Sequence, residues 1–101
     1  MAYKKTINKS KEAYFMHWNE ARKVYPNKWI LFEAIDAHSE DGKRIVEEIS
    51  IINVYDQGKE ALREYEDKHK KDKSREMYVY NTKNAELLIE ERVWIGVRKN
   101  G

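Results

Sequence analysis

The chain has 101 residues and a mass of 12.2 kDa, room for one domain and not for two. Charged residues make up 38% and apolar residues 41%, and the apolar ones fall in periodic blocks, which marks the charge as the surface of a folded core and excludes a disordered chain. The 20 basic residues nearly cancel the 18 acidic ones and there is no cysteine, so no global field draws the chain to nucleic acid or membrane, and disulfide, thiolate and zinc-ribbon chemistry are excluded.

Residues 1–8 read as a flexible N-terminus, and Met1 to Ile7 lacks the apolar core of a secretory signal. Apolar runs such as Trp29 to Phe32 stop at four residues, too short for a membrane span. These features fit a cytoplasmic protein.

From Ser10 to Tyr25 the residues Tyr14, Trp18, Ala21 and Tyr25 recur at helical spacing, and Pro26 closes the segment. Trp29 to His38 reads as a strand with apolar residues on both faces at its start, Ile30 and Phe32 opposite Trp29 and Leu31, as expected of a strand covered on both sides or lying centrally. The Asp41-Gly42 pair signals a tight hairpin into a second strand, Arg44 to Tyr55. Asp56 suits the start of a second helix, whose stripe of Ala61, Leu62, Tyr65 and His69 runs to about Lys70. Met77 to Tyr80 is a short third strand, and Glu86 to Arg98 a fourth, with Leu87, Ile89, Val93, Ile95 and Val97 alternating.

The order is α-β-β-α-β-β in one domain over residues 1–101. A helix between the second and third strands makes a crossover, and the fourth strand inserted between them gives a four-stranded, mainly antiparallel sheet of order 1-2-4-3. The expectation is an α+β fold, a permuted ferredoxin-like sandwich with both helices on one face.

Each of three strands places a glutamate in its apolar row: Glu33, Glu47 and Glu91. A carboxylate on a core-facing position must be paired, hydrated, protonated or metal-bound. Three on one face would suit Mg²⁺ or Mn²⁺ and a metal-dependent hydrolase. The simpler reading, pairing with Arg44 or Arg92 or an outward turn at a bulge, outweighs it: no Asp-rich loop accompanies the set, and Glu33, opposite Ile49, is only diagonal to Glu47.

Lys68, Lys70, Lys71, Lys73 and Arg75 form the densest cationic run, with Tyr78 and Tyr80 nearby. Cations beside exposed aromatics grip single-stranded nucleic acid by phosphate contact and stacking. A solvated helix C-terminus, where cations also favour the dipole, is the preferred reading of the run, and no nucleic-acid consensus accompanies it. His17, His38 and His69 lack metal-ligand spacing and read as surface residues, with His38 beside Asp36 a remote candidate for a general base. The 12 aromatics, Trp18, Trp29 and Trp94 among them, serve a core before an interface, and the first helix, widened by Phe15 and Val24, is the element expected to carry a dimer contact.

Tyr25-Pro26-Asn27-Lys28-Trp29, the Glu33-Ala34 and Ala37-His38 pairs, Arg75-Glu76-Met77-Tyr78 and Arg92-Val93-Trp94-Ile95-Gly96 resemble segments of a group of small uncharacterised proteins from Gram-positive bacteria. The resemblance implies a bacterial cytosolic protein and supplies no catalytic residues. The reading favoured is a non-enzymatic binding or regulatory module acting through protein contacts, with an unidentified partner or a second copy, without cofactor or catalytic residues. Nucleic-acid binding through residues 68–75 is the alternative, and a hydrolase using the strand glutamates the second.

Overall fold

The computed structural model describes residues 15–91. Its elements are β1 (Phe15–Met16), α1 (Trp18–Val24), β2 (Trp29–Glu40), β3 (Lys43–Tyr55), α2 (Gly58–Lys71) and β4 (Met77–Asn81). The fold is α+β, with one open four-stranded antiparallel sheet of order β1-β3-β2-β4 and two helices.

The first helix is shorter than expected. Phe15 and Met16 pair with Ser50 and Ile49 as an edge strand, and α1 starts only after His17, whose N–H donates to the Glu20 carboxylate at 2.9 Å. Strand pairing therefore overrides the helical spacing at the front of that stretch. Residues 10–14 lie outside the described residues.

The β2–β3 hairpin forms as the Asp-Gly pair predicts. Asp41 at φ 52° and Gly42 at φ 78° are both left-handed, the conformation of a two-residue turn that follows the twist of its strands. Register slips between Leu31 and Phe32 and on either side of Asp36 make this a bulged ribbon. As a result Glu33 lies opposite Ser50 and not opposite Ile49.

The crossover exists, but a different strand fills it. β4 pairs antiparallel with β2, from Trp29 opposite Asn81 to Glu33 opposite Met77. β3 and β4 are therefore parallel to each other with β2 between them, so the first predicted strand takes the place that the order 1-2-4-3 gave to the fourth. β2 is apolar on both faces where β4 covers it, which suits this central position. The fourth predicted strand, Glu86 to Arg98, contributes among its described residues one bridge, Glu90 to Lys43, and no pairing with β4; residues 92–98 lie outside the described residues.

The helices lie on opposite faces, not on the one face that a strict ferredoxin-like permutation needs. Trp18 and Ala21 of α1 pack into a core with Ile30, Phe32 and Ile49, extended by Tyr78 and Tyr80. On the other face the first turn of α2 seats Gly58 against the Trp29 indole, where an added Cβ would stand 3.0 Å from the ring. Leu31, Met77 and Ala61 are buried on that side. Because neighbours on a strand point to opposite faces, the Trp29–Phe32 run feeds both layers. Burial of Phe32, Ile30 and Leu31 contributes about 1.5–3 kcal/mol each.

Thr82 locks the two ends of this arrangement together. Its hydroxyl donates to the Tyr25 carbonyl at 2.6 Å and accepts from the Lys28 N–H at 2.9 Å, while its own N–H donates to the Lys28 carbonyl at 2.8 Å. The turn it holds contains Asn27 at φ 59°, a conformation that asparagine tolerates.

Candidate functional site

The three glutamates do not converge. Glu33 faces the α2 side and accepts both the Nη2 (2.8 Å) and the Nε (3.2 Å) of Arg75. Glu47 is exposed beside the register slip, and the contact it makes is through its backbone carbonyl, which accepts from His17 Nδ1 at 2.7 Å. Glu91 accepts from the Ser39 hydroxyl at 2.7 Å near the hairpin tip. No group of three or more His, Asp or Glu residues able to hold a metal occurs among the described residues.

A different carboxylate carries the strongest electrostatics. Glu76 enters β4 and takes Nε and Nη2 of Arg44 on its two oxygens, at 2.7 and 3.0 Å, and the Tyr78 hydroxyl at 2.7 Å. The Arg44 hydrogen bonds hold the Glu76 carboxyl below its usual range, against the opposing effect of burial. Burial first, and then the bond to Glu76, push the Tyr78 hydroxyl well above its ordinary value. Arg44 reaches on through Nη1 to the Ser39 hydroxyl at 3.1 Å, so one chain of contacts runs Tyr78–Glu76–Arg44–Ser39–Glu91. The two Glu76 oxygens, the Arg44 guanidinium and the Tyr78 hydroxyl are engaged with one another, as in a structural clasp, while Glu91 at the exposed end accepts on one oxygen among the described residues. Ser39 has no histidine partner: His38 lies instead 3.4 Å from Glu40.

Two positions explain why sequence reading missed this clasp. Glu76 and Tyr78 are two apart on one strand, so they share a face, and that much was legible. Arg44 meets them only because the bulged β2–β3 ribbon bends across that face.

The basic run is divided. Lys68 pairs with Glu64 at 3.7 Å within α2, and Arg75 is taken by Glu33. Lys70, Lys71 and Lys73 are exposed. Tyr78 and Tyr80 lie on the opposite face of the sheet, in the α1 core: Tyr78 is 5.9 Å from Phe32 and Tyr80 is 5.8 Å from Trp18, centroid to centroid. Lysines and tyrosines therefore do not form one surface, because alternation sends 78 and 80 to the face away from α2. His69 is partly exposed and stacked on Tyr65 at 5.5 Å.

A groove of about 540 Å³ opens between the start of β3 and residues 86–90, lined by Lys43, Arg44, Ile45, Leu87 and Ile89 among others. Glu86 and Glu90 also line it, and no serine, threonine or histidine is among its lining residues.

The feature left open is the outer edge of β4. The bonds Ala34 N–H to the Glu76 carbonyl and Thr82 N–H to the Lys28 carbonyl fix the phase of the ladder: residues 76, 78, 80 and 82 turn their polar groups toward β2. Met77, Val79 and Asn81 therefore present theirs outward, where no described strand pairs with them, although the Asn81 carbonyl accepts from the Asn84 N–H at 3.1 Å and from Asn84 Nδ2 at 2.9 Å. The strand reads Met-Tyr-Val-Tyr-Asn, with no charge, proline or bulge of the kind that protects an edge.

Exposed leucines flank this edge. Glu60, Glu64, Asp67 and Lys71 line a hollow with Tyr55 of β3, so that flank of α2 faces β3. Leu62, two residues on from Glu60 and so about 200° round the helix, lies on the flank toward β4 and is 51% exposed. On the other face Leu88, 65% exposed, donates its N–H to the Tyr80 hydroxyl at 3.0 Å.

No protein-family model, no curated protein and no solved structure matches this chain. Among the described residues no helix is long and apolar enough to cross a membrane.

Proposed function

We propose that this chain is a non-catalytic binding module of the bacterial cytosol that captures another polypeptide by adding its strand to the open edge of β4. The observation that carries the reading is the outward row of Met77 and Val79 on an edge strand that no described strand covers. Backbone hydrogen bonds along such an edge supply affinity, and flanking side chains such as Leu62 supply selectivity. The engaged state of Glu76 supports the same reading, since its carboxylate is tied to Arg44 and Tyr78. Three exposed lysines apart from any aromatic platform count against the nucleic-acid alternative.

Capture from the cells that make the protein tests this reading when wild type is compared with Val79→Pro, which deletes one outward N–H and leaves the β2 ladder intact. The proteins captured by wild type should be lost with Val79→Pro and kept when Lys70, Lys71 and Lys73 are changed together to Gln. Identical capture by wild type and Val79→Pro refutes the edge as the contact.

A further inference from the structure

Among the described residues Ser39 is the exposed hydroxyl that joins two distant parts of the chain. Its Oγ donates to Glu91 Oε2 at 2.7 Å and accepts from Arg44 Nη1 at 3.1 Å. The other described serine and threonine hydroxyls are placed differently. Thr82 is buried, Ser74 donates to Asp72 in its own turn at 2.6 Å, and Ser50 lies inside the sheet, opposite Phe15 on one side and Glu33 on the other. Ser39 is also within reach of another protein. It stands two residues before the Asp41-Gly42 turn, and beyond Ala34 no described strand lies on the outer side of β2. Residues 37–41 therefore offer an extended segment to an enzyme cleft, with exposed Glu40 and Asp41 directly after the hydroxyl.

What Ser39 helps to hold is a strap. Residues 86–91 run along the start of β3, where the Arg44 N–H donates to the Ile89 carbonyl at 3.0 Å and the Glu91 N–H to the Gly42 carbonyl at 2.8 Å. Leu87 and Ile89 of the strap form one wall of the groove that Ile45 lines from β3. Glu86, Leu88, Glu90 and Glu91 are exposed, and a single bridge, Lys43 to Glu90, pairs the strap with the sheet. Segments with so few backbone bonds and so little burial open at low cost.

We propose that Ser39 is a phosphorylation site and that its phosphate unlatches residues 86–91 from β3. The acidic residues after it call for a serine kinase with a cationic substrate cleft and a nucleoside triphosphate as phosphoryl donor. Ser39 Oγ forms the new bond to the γ-phosphorus, the bond from that phosphorus to the β–γ bridging oxygen breaks, the nucleoside diphosphate leaves, and the hydroxyl proton passes to the base of the kinase. The product lacks the proton that Glu91 accepts, and it sets a group of about two negative charges against that carboxylate. Arg44 stays with the phosphate, because its Nη1 already contacts the oxygen that carries it and guanidinium–phosphate pairs are strong. The hairpin tip thus keeps its arginine while the strap loses its anchor. This device does not depend on the β4 edge.

Mass spectrometry of the protein isolated from the cells that make it, together with residue-by-residue amide exchange on the chain carrying phosphoserine at position 39, installed during synthesis, tests the proposal. Expected is a phosphate on Ser39 that is absent from Ser39→Ala. In the phosphorylated chain the amides of Arg44 and Glu91 should exchange about tenfold or more faster, while those of Tyr78 and Tyr80, bonded to β2, stay as they were. Glu91→Gln in the phosphorylated chain should restore most of the lost protection, since it removes the repulsion and keeps the bulk of the phosphate. An unmodified Ser39 overturns the proposal. So does a phosphorylated chain whose Arg44 and Glu91 amides exchange as slowly as before, or one in which Tyr78 and Tyr80 lose protection along with them.

Discussion

Replacing Thr82 with valine keeps nearly the same shape and removes one hydroxyl from a site only 2% exposed. That hydroxyl is the partner of the Lys28 N–H and of the Tyr25 carbonyl. An orphaned buried donor or acceptor costs about 1–3 kcal/mol. Tyr25 and Lys28 are half-buried, so water recovers part of this, and the expected loss is about 2 kcal/mol in all. For a domain of this size that lowers the melting temperature by about 10 °C. Thr82→Ser keeps the hydroxyl and gives up one buried methyl, costing about 1 kcal/mol. Urea unfolding of the three proteins, with the slope m unchanged, measures both values. A loss below about 0.5 kcal/mol for Thr82→Val, or equal losses for the two variants, refutes the reasoning, because the methyl and not the hydroxyl would then be what matters.

Acid titration of stability should expose the Glu76 clasp. The folded-state pKa of Glu76 is depressed, so its stabilisation is present above the ordinary carboxyl value of 4.5 and is lost as pH falls through the lower folded value. Denaturation followed from pH 6 to pH 2 should therefore decline less steeply for Glu76→Gln than for wild type, and equal slopes would contradict the assignment. The Arg75–Glu33 pair is about a third exposed, so a double-mutant cycle with Arg75→Gln and Glu33→Gln should give a coupling of about 1 kcal/mol or less that shrinks with salt. Millimolar Mg²⁺ or Mn²⁺ should leave the melting temperature of the wild type unchanged; a rise lost in Glu33→Gln or Glu91→Gln would restore the metal reading. Changing Lys70, Lys71 and Lys73 together to Gln should alter stability by less than about 0.5 kcal/mol per residue, and wild type should bind no single-stranded oligonucleotide at physiological salt. Submicromolar binding in a filter or anisotropy assay would overturn this.

Local rules written in the sequence determined much of this protein. The Asp41-Gly42 turn, the two-faced apolar run of Trp29 to Phe32 and the helix α2 follow from backbone sterics and side-chain periodicity over a few residues and appear where those rules put them, except that Leu62 of the expected stripe is exposed on the flank. The two-faced apolar run of β2 was compatible with a central position, yet the expected order 1-2-4-3 put this strand at an edge. Tertiary structure decided what depends on neighbours distant in the chain. Which strand β2 shares with β3 is a choice among registers of similar local quality, and the pairing of β4 with β2 settled it by letting Trp29 to Glu33 bury both faces at once. Phe15 and Met16 lie in a helical pattern, yet the free edge of β3 draws them into the sheet. Glu33 was legible as a carboxylate needing a partner, but its partner proved to be Arg75, 42 residues away, and Glu76 found Arg44 across 32 residues through a bent ribbon whose slips no spacing rule encodes. Long-range electrostatic partners are set by the summed geometry of bulges and twist, and one sequence read locally does not contain that sum.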